Sequence, residues 1–281
     1  MDEPTDIPAI RTVGLTKRYG DRPILRGVDL QIRRGETMVI MGGSGDGKST
    51  LLRLMIGSIS PDEGRIEILG QDITAIDETQ LDAVRRRFGI LFQSGALFNS
   101  MTVADNVALP LREHTTLDEQ TIAVMVRIKL ELVGLRHAAD LMPAELSGGM
   151  KKRAGLARAI ALDPQILFYD EPSAGLDPVT SAQIDQLIID LSRKLGVTSV
   201  VVTHEMDSAF RIADRMAMLD RGRLVMVGPR EQFERLRDDE PGQDVQAALI
   251  RQFLRGDSEG PITQRRGEGY EQDILHAAAG L

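Results

Sequence analysis

The chain has 281 residues, 42% hydrophobic and 27% charged, which suits one large α/β domain or one domain with a small subdomain and a tail, and excludes a disordered or fibrous body. A formal net charge of -8 weighs against a non-specific nucleic-acid binder, and the basic runs Arg85, Arg86, Arg87 and Lys151, Lys152, Arg153 read as solvated helix faces. The absence of cysteine excludes disulfides, zinc–thiolate sites and thiol nucleophiles and fits a reducing compartment.

In chain order, "MDEPTDIPAI" lacks the basic and apolar regions of a signal peptide, and nowhere do about 18 apolar residues run together, so any crossing of a membrane is expected of another chain. Strands are predicted at 9–15, 25–32 and 37–41, the last entering a glycine-rich loop, then a helix at 48–57 and a strand at 65–69. A helix at 77–87 leads to a strand over "FGILFQ" (88–93), and 102–145 is helix-rich, most clearly at 118–135. From Ser147 onward a helix to about 161, a buried-type strand at 166–170, a helix at 179–195, a strand at 198–202 and a helix at 206–213 alternate. Ile184, Leu187, Ile188, Leu191 and Leu195 form one apolar stripe, and the alternation predicts a mainly parallel sheet with ligands at its carboxyl ends. Helices at 229–238 and 243–254 precede a tail, 256–281, whose composition alone reads as disorder.

"GGSGDGKS" places Gly42, Gly47, Lys48 and Ser49 at the spacing of a phosphate-binding loop, after an apolar strand and before an apolar-periodic helix. Backbone N–H groups converge on phosphate there, and the helix end adds about half a positive charge. The expected cradle is Gly42, Ser44, Gly45, Gly47, Lys48, Ser49 and Thr50, with Lys48 on the β- and γ-phosphates and the Ser49 hydroxyl on Mg²⁺. At the end of the buried strand "ILFYDE", Asp170 is expected to hold Mg²⁺, directly or through water, and Glu171 to polarise the attacking water; taken alone, an apolar run ending in two acids is equally a structural feature. In "LSGGM" Ser147 can cap a helix opening at Gly148 and Gly149, leaving N–H groups for an anion, although a plain helix start explains the same residues.

Taken together, the phosphate loop, "FQ" after a strand, "LSGGM", "ILFYDEPSAGLDP" and "THE" after an apolar strand resemble, in that order, the ATP-binding cassette (ABC) family over about residues 9–235. The resemblance implies an α/β P-loop NTPase cassette with a RecA-like, mainly parallel sheet core, an antiparallel β subdomain and an α-helical subdomain at about 95–160. It implies an ATP-binding domain over 1–255 and a C-terminal extension over 256–281. It further implies ATP hydrolysis with Mg²⁺ in a head-to-tail dimer, where Ser147, Gly148 and Gly149 face the γ-phosphate held by the other copy. Under it Tyr19 stacks on adenine, against the competing reading of an ordinary strand tyrosine; Gln93 senses Mg²⁺ and the attacking water, Asp177 communicates across the dimer, and His204 contacts the γ-phosphate. Met150 departs from the family's usual glutamine, and Asp46 brings an acid into the phosphate loop, tolerable where its side chain points outward.

"ILFQSGALFNSMTVADNVALPL" (90–111) resembles the ATPases of Mla-type bacterial lipid-trafficking systems. That implies phospholipid moved between the inner and outer membranes of a Gram-negative bacterium, with an integral membrane permease, an Mce-domain lipid-binding protein and a small regulatory protein on the helical subdomain as partners. It implies a place on the cytoplasmic face of the inner membrane; the acidic charge balance leads to the expectation of no nucleic-acid partner. "EGPITQRRGEGYEQDIL" (259–275) resembles the extension of those ATPases, with Tyr270 as an anchor on the partner ATPase; a loose acidic end is the alternative. Competing classes are a soluble cassette serving as an assembly scaffold, the ATPase of a transporter for another substrate, a DNA-repair ATPase, for which 102–145 leaves no room for a long coiled coil, and a silent cassette, disfavoured by Lys48, Asp170, Glu171 and His204.

Overall fold

A computed structural model describes residues 7–238 and 244–264, which fall into two compact units, one running to Val227 and one starting at Gly228. The first unit carries two sheets. Strands β1 (Ile10–Tyr19), β2 (Arg22–Ile32), β4 (Glu63–Ile68) and β5 (Gln71–Asp72) form an antiparallel sheet in the order β2-β1-β4-β5. Strands β3 (Thr37–Gly42), β6 (Phe88–Leu91), β7 (Ile166–Asp170), β8 (Thr198–Val202), β9 (Arg215–Asp220) and β10 (Arg223–Pro229) form the second, in the order β10-β9-β3-β8-β7-β6. Its pairs β3–β8, β3–β9, β6–β7 and β7–β8 are parallel. Every residue of β3 and β8 is buried, as expected of parallel strands covered on both faces.

Strands β9 and β10 lie outside the predicted elements. Their connection is the pair Arg221 and Gly222, both at positive φ (47° and 79°), the signature of a two-residue hairpin turn whose usual sequence marker is Asn-Gly or Asp-Gly. Strand β6 stops at Leu91, two residues short of the predicted end, because Gly95 N–H turns back to donate to Phe92 O at 2.8 Å and Gln93 falls in the turn.

Helix α1 (Lys48–Met55) follows the glycine loop, and α2 (Glu78–Arg85) opens with a reciprocal cap between Asp77 and Gln80. The helix-rich region resolves into α3 (Val103–His114) and α4 (Glu119–Leu132), capped by the side chains of Thr102 and Asp118, then α5 (Gly148–Ala159). Buried Asn106 ties the turn before α3 together, donating to Phe98 O, Met101 O and Thr102 O and accepting from Phe98 N–H. In α6 (Pro178–Leu195) the predicted stripe faces the interior through Ile184, Ile188 and Leu191, while the Asp185 beside it is buried and accepts from Ser208 Oγ and Arg211 of α7 (Met206–Ile212).

The second unit packs α8 (Arg230–Asp238) against α9 (Val245–Arg255) around Phe233, Leu249, Ile250 and Leu254. Gln252 gathers the chain that follows, accepting from Ile262 N–H at 2.7 Å and donating to Asp257 O at 3.2 Å. Tyr270 and the remainder of the predicted anchor lie outside the described residues.

Candidate nucleotide site

Strand β3 delivers the glycine loop, and two glycines fix how closely it can lie. A Cβ on Gly42 would stand 2.4 Å from Leu219 O of β9, and Gly47, at φ 103°, would place one 2.7 Å from Leu25 Cδ2 of β2. The loop is therefore pressed between two strands, with the open N-terminus of α1 beginning at Lys48. Lys48 is buried, and its Nζ donates to Gly42 O at 2.8 Å and Gly43 O at 2.9 Å. Burial lowers the pKa of its ammonium, against the opposing pull of Glu171, Asp46 and Asp170. Ser44, Gly45 and Ser49 are exposed and Thr50 half-buried.

Asp46 turns away from a cradle role. Its carboxylate accepts from Gly43 N–H at 2.6 Å and from Arg221 N–H at 3.2 Å, while Gly222 N–H donates to its carbonyl at 3.1 Å. The acid thus ties the loop to the β9–β10 turn.

The pairing of β7 with β8 sets Asp170 opposite Val202, two residues before His204. Burial, then the neighbouring Glu171, raises the pKa of the Asp170 carboxyl. Glu171 has φ 48°, the left-handed region a non-glycine residue rarely adopts, and its N–H donates to Val202 O at 2.9 Å. Its side chain is largely enclosed, with Oε1 2.8 Å from His204 Nδ1 and Oε2 3.4 Å from His204 N–H. From the other side Lys152 Nζ donates to Glu171 O at 2.9 Å. This corrects the reading of Lys151, Lys152 and Arg153 as a solvated face: Lys152 is 5% exposed, and Arg153 donates to Val133 O and to Gln183.

The other expected site residues sit apart from this cluster in their local bonding. Gln93 is exposed in the turn after β6, and the pairing of Leu91 with Tyr169 brings that turn to the carboxyl edge of the sheet where β7 ends at Asp170 and Glu171 follows. Tyr19 ends β1 and is 49% exposed, a free aromatic face before the phosphate loop. Ser147 caps α5 by accepting from Met150 N–H at 3.3 Å; Gly148 and Gly149 follow, and a Cβ on Gly149 would come within 2.6 Å of Thr180 Cγ2. Asp177 caps α6, accepting from Val179 N–H, Thr180 N–H and Thr180 Oγ1, so within this chain its carboxylate serves its own helix.

Residues that motif reading passes over complete the site's frame. Arg158 of α5 donates to Ala96 O at 2.8 Å and Gly95 O at 3.2 Å and lies over the Phe98 ring, latching the loop after Gln93 onto α5. As a donor set for Mg²⁺, the Asp170 carboxylate, Ser49 hydroxyl and Gln93 amide are hard oxygen ligands. Among the described residues no group of three or more His, Cys, Asp or Glu side chains forms a protein cage. A sparse oxygen set fits an ion that keeps waters and takes phosphate oxygens as ligands.

The family model for the ABC transporter matches residues 25–174, from β2 through the loop after Glu171. The chain belongs to the ABC transporter family. Among relatives of this ABC cassette, the intermembrane phospholipid transport system ATP-binding protein MlaF of Escherichia coli (strain K12) is 45% identical over 95% of each chain. The probable ribonucleotide transport ATP-binding protein mkl of Mycobacterium leprae is 48% identical over 90% of this chain and 71% of its own. The cassette also matches a dimeric post-hydrolysis structure of the ATP-binding cassette MJ0796 bound to ADP and Pi, at TM-score 0.72 and 32% identity over 78% of this chain and 98% of that one. The structure of cbiO1 from Clostridium perfringens, part of the transporter complex cbiONQ, matches at TM-score 0.75 and 30% identity over 81% of this chain and 90% of that one. Among the described residues no helix is long and apolar enough to cross a membrane.

Proposed function

We infer that this chain is the ATP-hydrolysing subunit of an ABC transporter for phospholipid, working as a head-to-tail dimer on the cytoplasmic face of the inner membrane beneath a permease. The observation that carries the ATPase reading is the convergence of a buried phosphate-loop lysine, Lys48, with Asp170, Glu171 and His204 at the carboxyl ends of β3, β7 and β8. ATP lies along the loop, with Tyr19 on adenine and Gly42, Ser44, Gly45, Gly47, Ser49 and Thr50 around the phosphates. Ser49, Asp170 and Gln93 would hold Mg²⁺, which would supply charge neutralisation to the phosphates. Glu171 orients and polarises the attacking water. His204, bonded to Glu171 through Nδ1, has Nε2 left for the γ-phosphate. Ser147, Gly148 and Gly149 close the partner's nucleotide, and Asp177 lies at the dimer seam.

Support for phospholipid over ribonucleotide comes from the alignment with MlaF along nearly the whole of both chains and from the "QSGALF" loop, whose latch on α5 adjoins a groove. That groove, lined by Ile56, Arg86, Ile90, Phe92, Pro110 and His114 among others, receives the permease; Phe92 directly precedes Gln93, so docking and the nucleotide share one turn. An Mce-domain protein completes the complex, and a small regulatory protein takes the exposed Val124 and Ile128 of α4. The C-terminal extension docks on the partner ATPase. The test is purification of tagged E171Q from detergent-solubilised membranes with ATP and Mg²⁺, with mass spectrometry of what accompanies it. A permease, an Mce-domain protein and phospholipid are expected; ribonucleotide-binding or soluble partners alone would overturn the lipid reading.

A further inference from the structure

Lys152 has no part in the chemistry above, yet it occupies a costly place. It lies in the second turn of α5, five residues after the Ser147 cap, almost wholly buried, and burial lowers the pKa of its ammonium. Enclosing an ammonium costs several kcal/mol, roughly, unless it is well paired, and a methionine of similar length would fill the space without that cost. The hydrogen bond this charge makes is to a main-chain carbonyl, Glu171 O at 2.9 Å.

That carbonyl belongs to a residue whose backbone sits in the left-handed region, which non-glycine residues rarely adopt. A left-handed φ of 48° costs a glutamate on the order of 1–2 kcal/mol and persists only where neighbours hold it. Four contacts do so: the N–H of Glu171 on Val202 O, its side chain on His204, and its carbonyl, which accepts from Ala174 N–H at 3.2 Å and from Lys152 Nζ. The first two come from β8 and the loop that follows it, the Ala174 bond from the turn after Glu171 itself, and only the Lys152 bond from another element, α5.

We propose that Lys152 is a positioning residue for ATP hydrolysis, clamping the Glu171 peptide so that the carboxylate faces the attacking water. This rests on the assignment of Glu171 as the group that polarises water, and the two are tested apart. The full-length protein is compared with K152M, K152Q, K152R and E171Q for steady-state Mg²⁺-ATP hydrolysis, thermal stability and binding of a fluorescent ATP analogue. Because displacing a catalytic group by about 1 Å costs on the order of 10²-fold, K152M should lose about 10- to 100-fold in kcat, with KM and analogue binding within about twofold. K152Q and K152R, which keep an N–H donor for the carbonyl, should each recover most of the loss; recovery by the neutral glutamine separates a clamp from charge balance around Asp170, Glu171 and Glu205. A K152M kcat within about twofold of wild type, or a K152Q as poor as K152M at equal stability, overturns the clamp. Should K152M not fold, K152Q decides against wild type by the same kcat-and-KM split. Normal hydrolysis by E171Q would instead remove the base assignment on which the clamp stands.

Discussion

Glu171 and Lys48 carry different proposed roles at the residue scale, and their variants should fail differently. E171Q should retain ATP binding and lose about 10²- to 10⁴-fold in turnover, the scale of a positioned general base, measured by phosphate release beside nucleotide affinity. K48A should lose affinity as well, because the ammonium is poised between Gly42 O and Gly43 O where the phosphates enter. Asp46 is the residue whose sequence reading is ambiguous and whose structure is not. With its carboxylate spent on Gly43 and Arg221 N–H groups, D46A should cost about 1–2 kcal/mol of stability without weakening ATP binding. A large loss of affinity at unchanged melting temperature would instead make Asp46 part of the cradle. The phosphate loop, the Asp-Glu pair and the histidine are legible in the sequence because each is a fixed spacing at a strand end. Lys152 and Arg221 are not, because a lysine in a basic run and an Arg-Gly turn carry no local sign of what they touch across the fold.

At the element scale, α5 decides most. Gly155 faces the 95–98 loop so closely that a Cβ would stand 2.8 Å from Gly95 O and 3.0 Å from Leu91 Cδ1. In an exposed helix Gly→Ala gains about 1 kcal/mol; here G155A should lose about 1–3 kcal/mol through overpacking, with a lower melting temperature and a displaced Gln93 turn. Helix α3 offers a pH test. Asp105 is held below the usual carboxylate range first by Thr102 and then by Arg112, so its contribution is full above the ordinary aspartate value near 4 and is lost as pH falls through the lower native value. D105N should flatten the acid limb of a melting-temperature profile taken from about pH 7 to 3. Element existence follows from periodicity for α6, β7 and β8. The split between α3 and α4 depends on caps at Thr102 and Asp118, which polar side chains elsewhere imitate, and the β9–β10 hairpin escapes for want of a recognisable turn pair.

At the scale of the whole molecule, the two units answer different questions. The parallel sheet with its flanking helices sets the nucleotide chemistry, and the sequence carries that architecture in its alternation of strands and helices. The smaller unit is a helix pair whose Gln252 fastens the chain as far as Thr263. Removing 265–281 should therefore leave its melting and the ATP affinity of the monomer intact, while weakening ATP-driven dimerisation of E171Q if the extension docks as proposed. Analytical ultracentrifugation with and without ATP reads this directly, and unchanged association would reject the docking.

One helix touches three parts of the proposed cycle: the turn at Ser147, the Glu171 peptide through Lys152, and the loop after Gln93 through Arg158. From the first to the last of these is about 16 Å at the helical rise of 1.5 Å per residue. A tilt of about 5° about the Ser147 end would shift the Arg158 end by about 1.4 Å, close to the length of one covalent bond. So small a rotation would be enough to exchange one set of hydrogen bonds for another, and α5 joins the Ser147 turn, the residue proposed to polarise water and the Gln93 loop on one rigid arm.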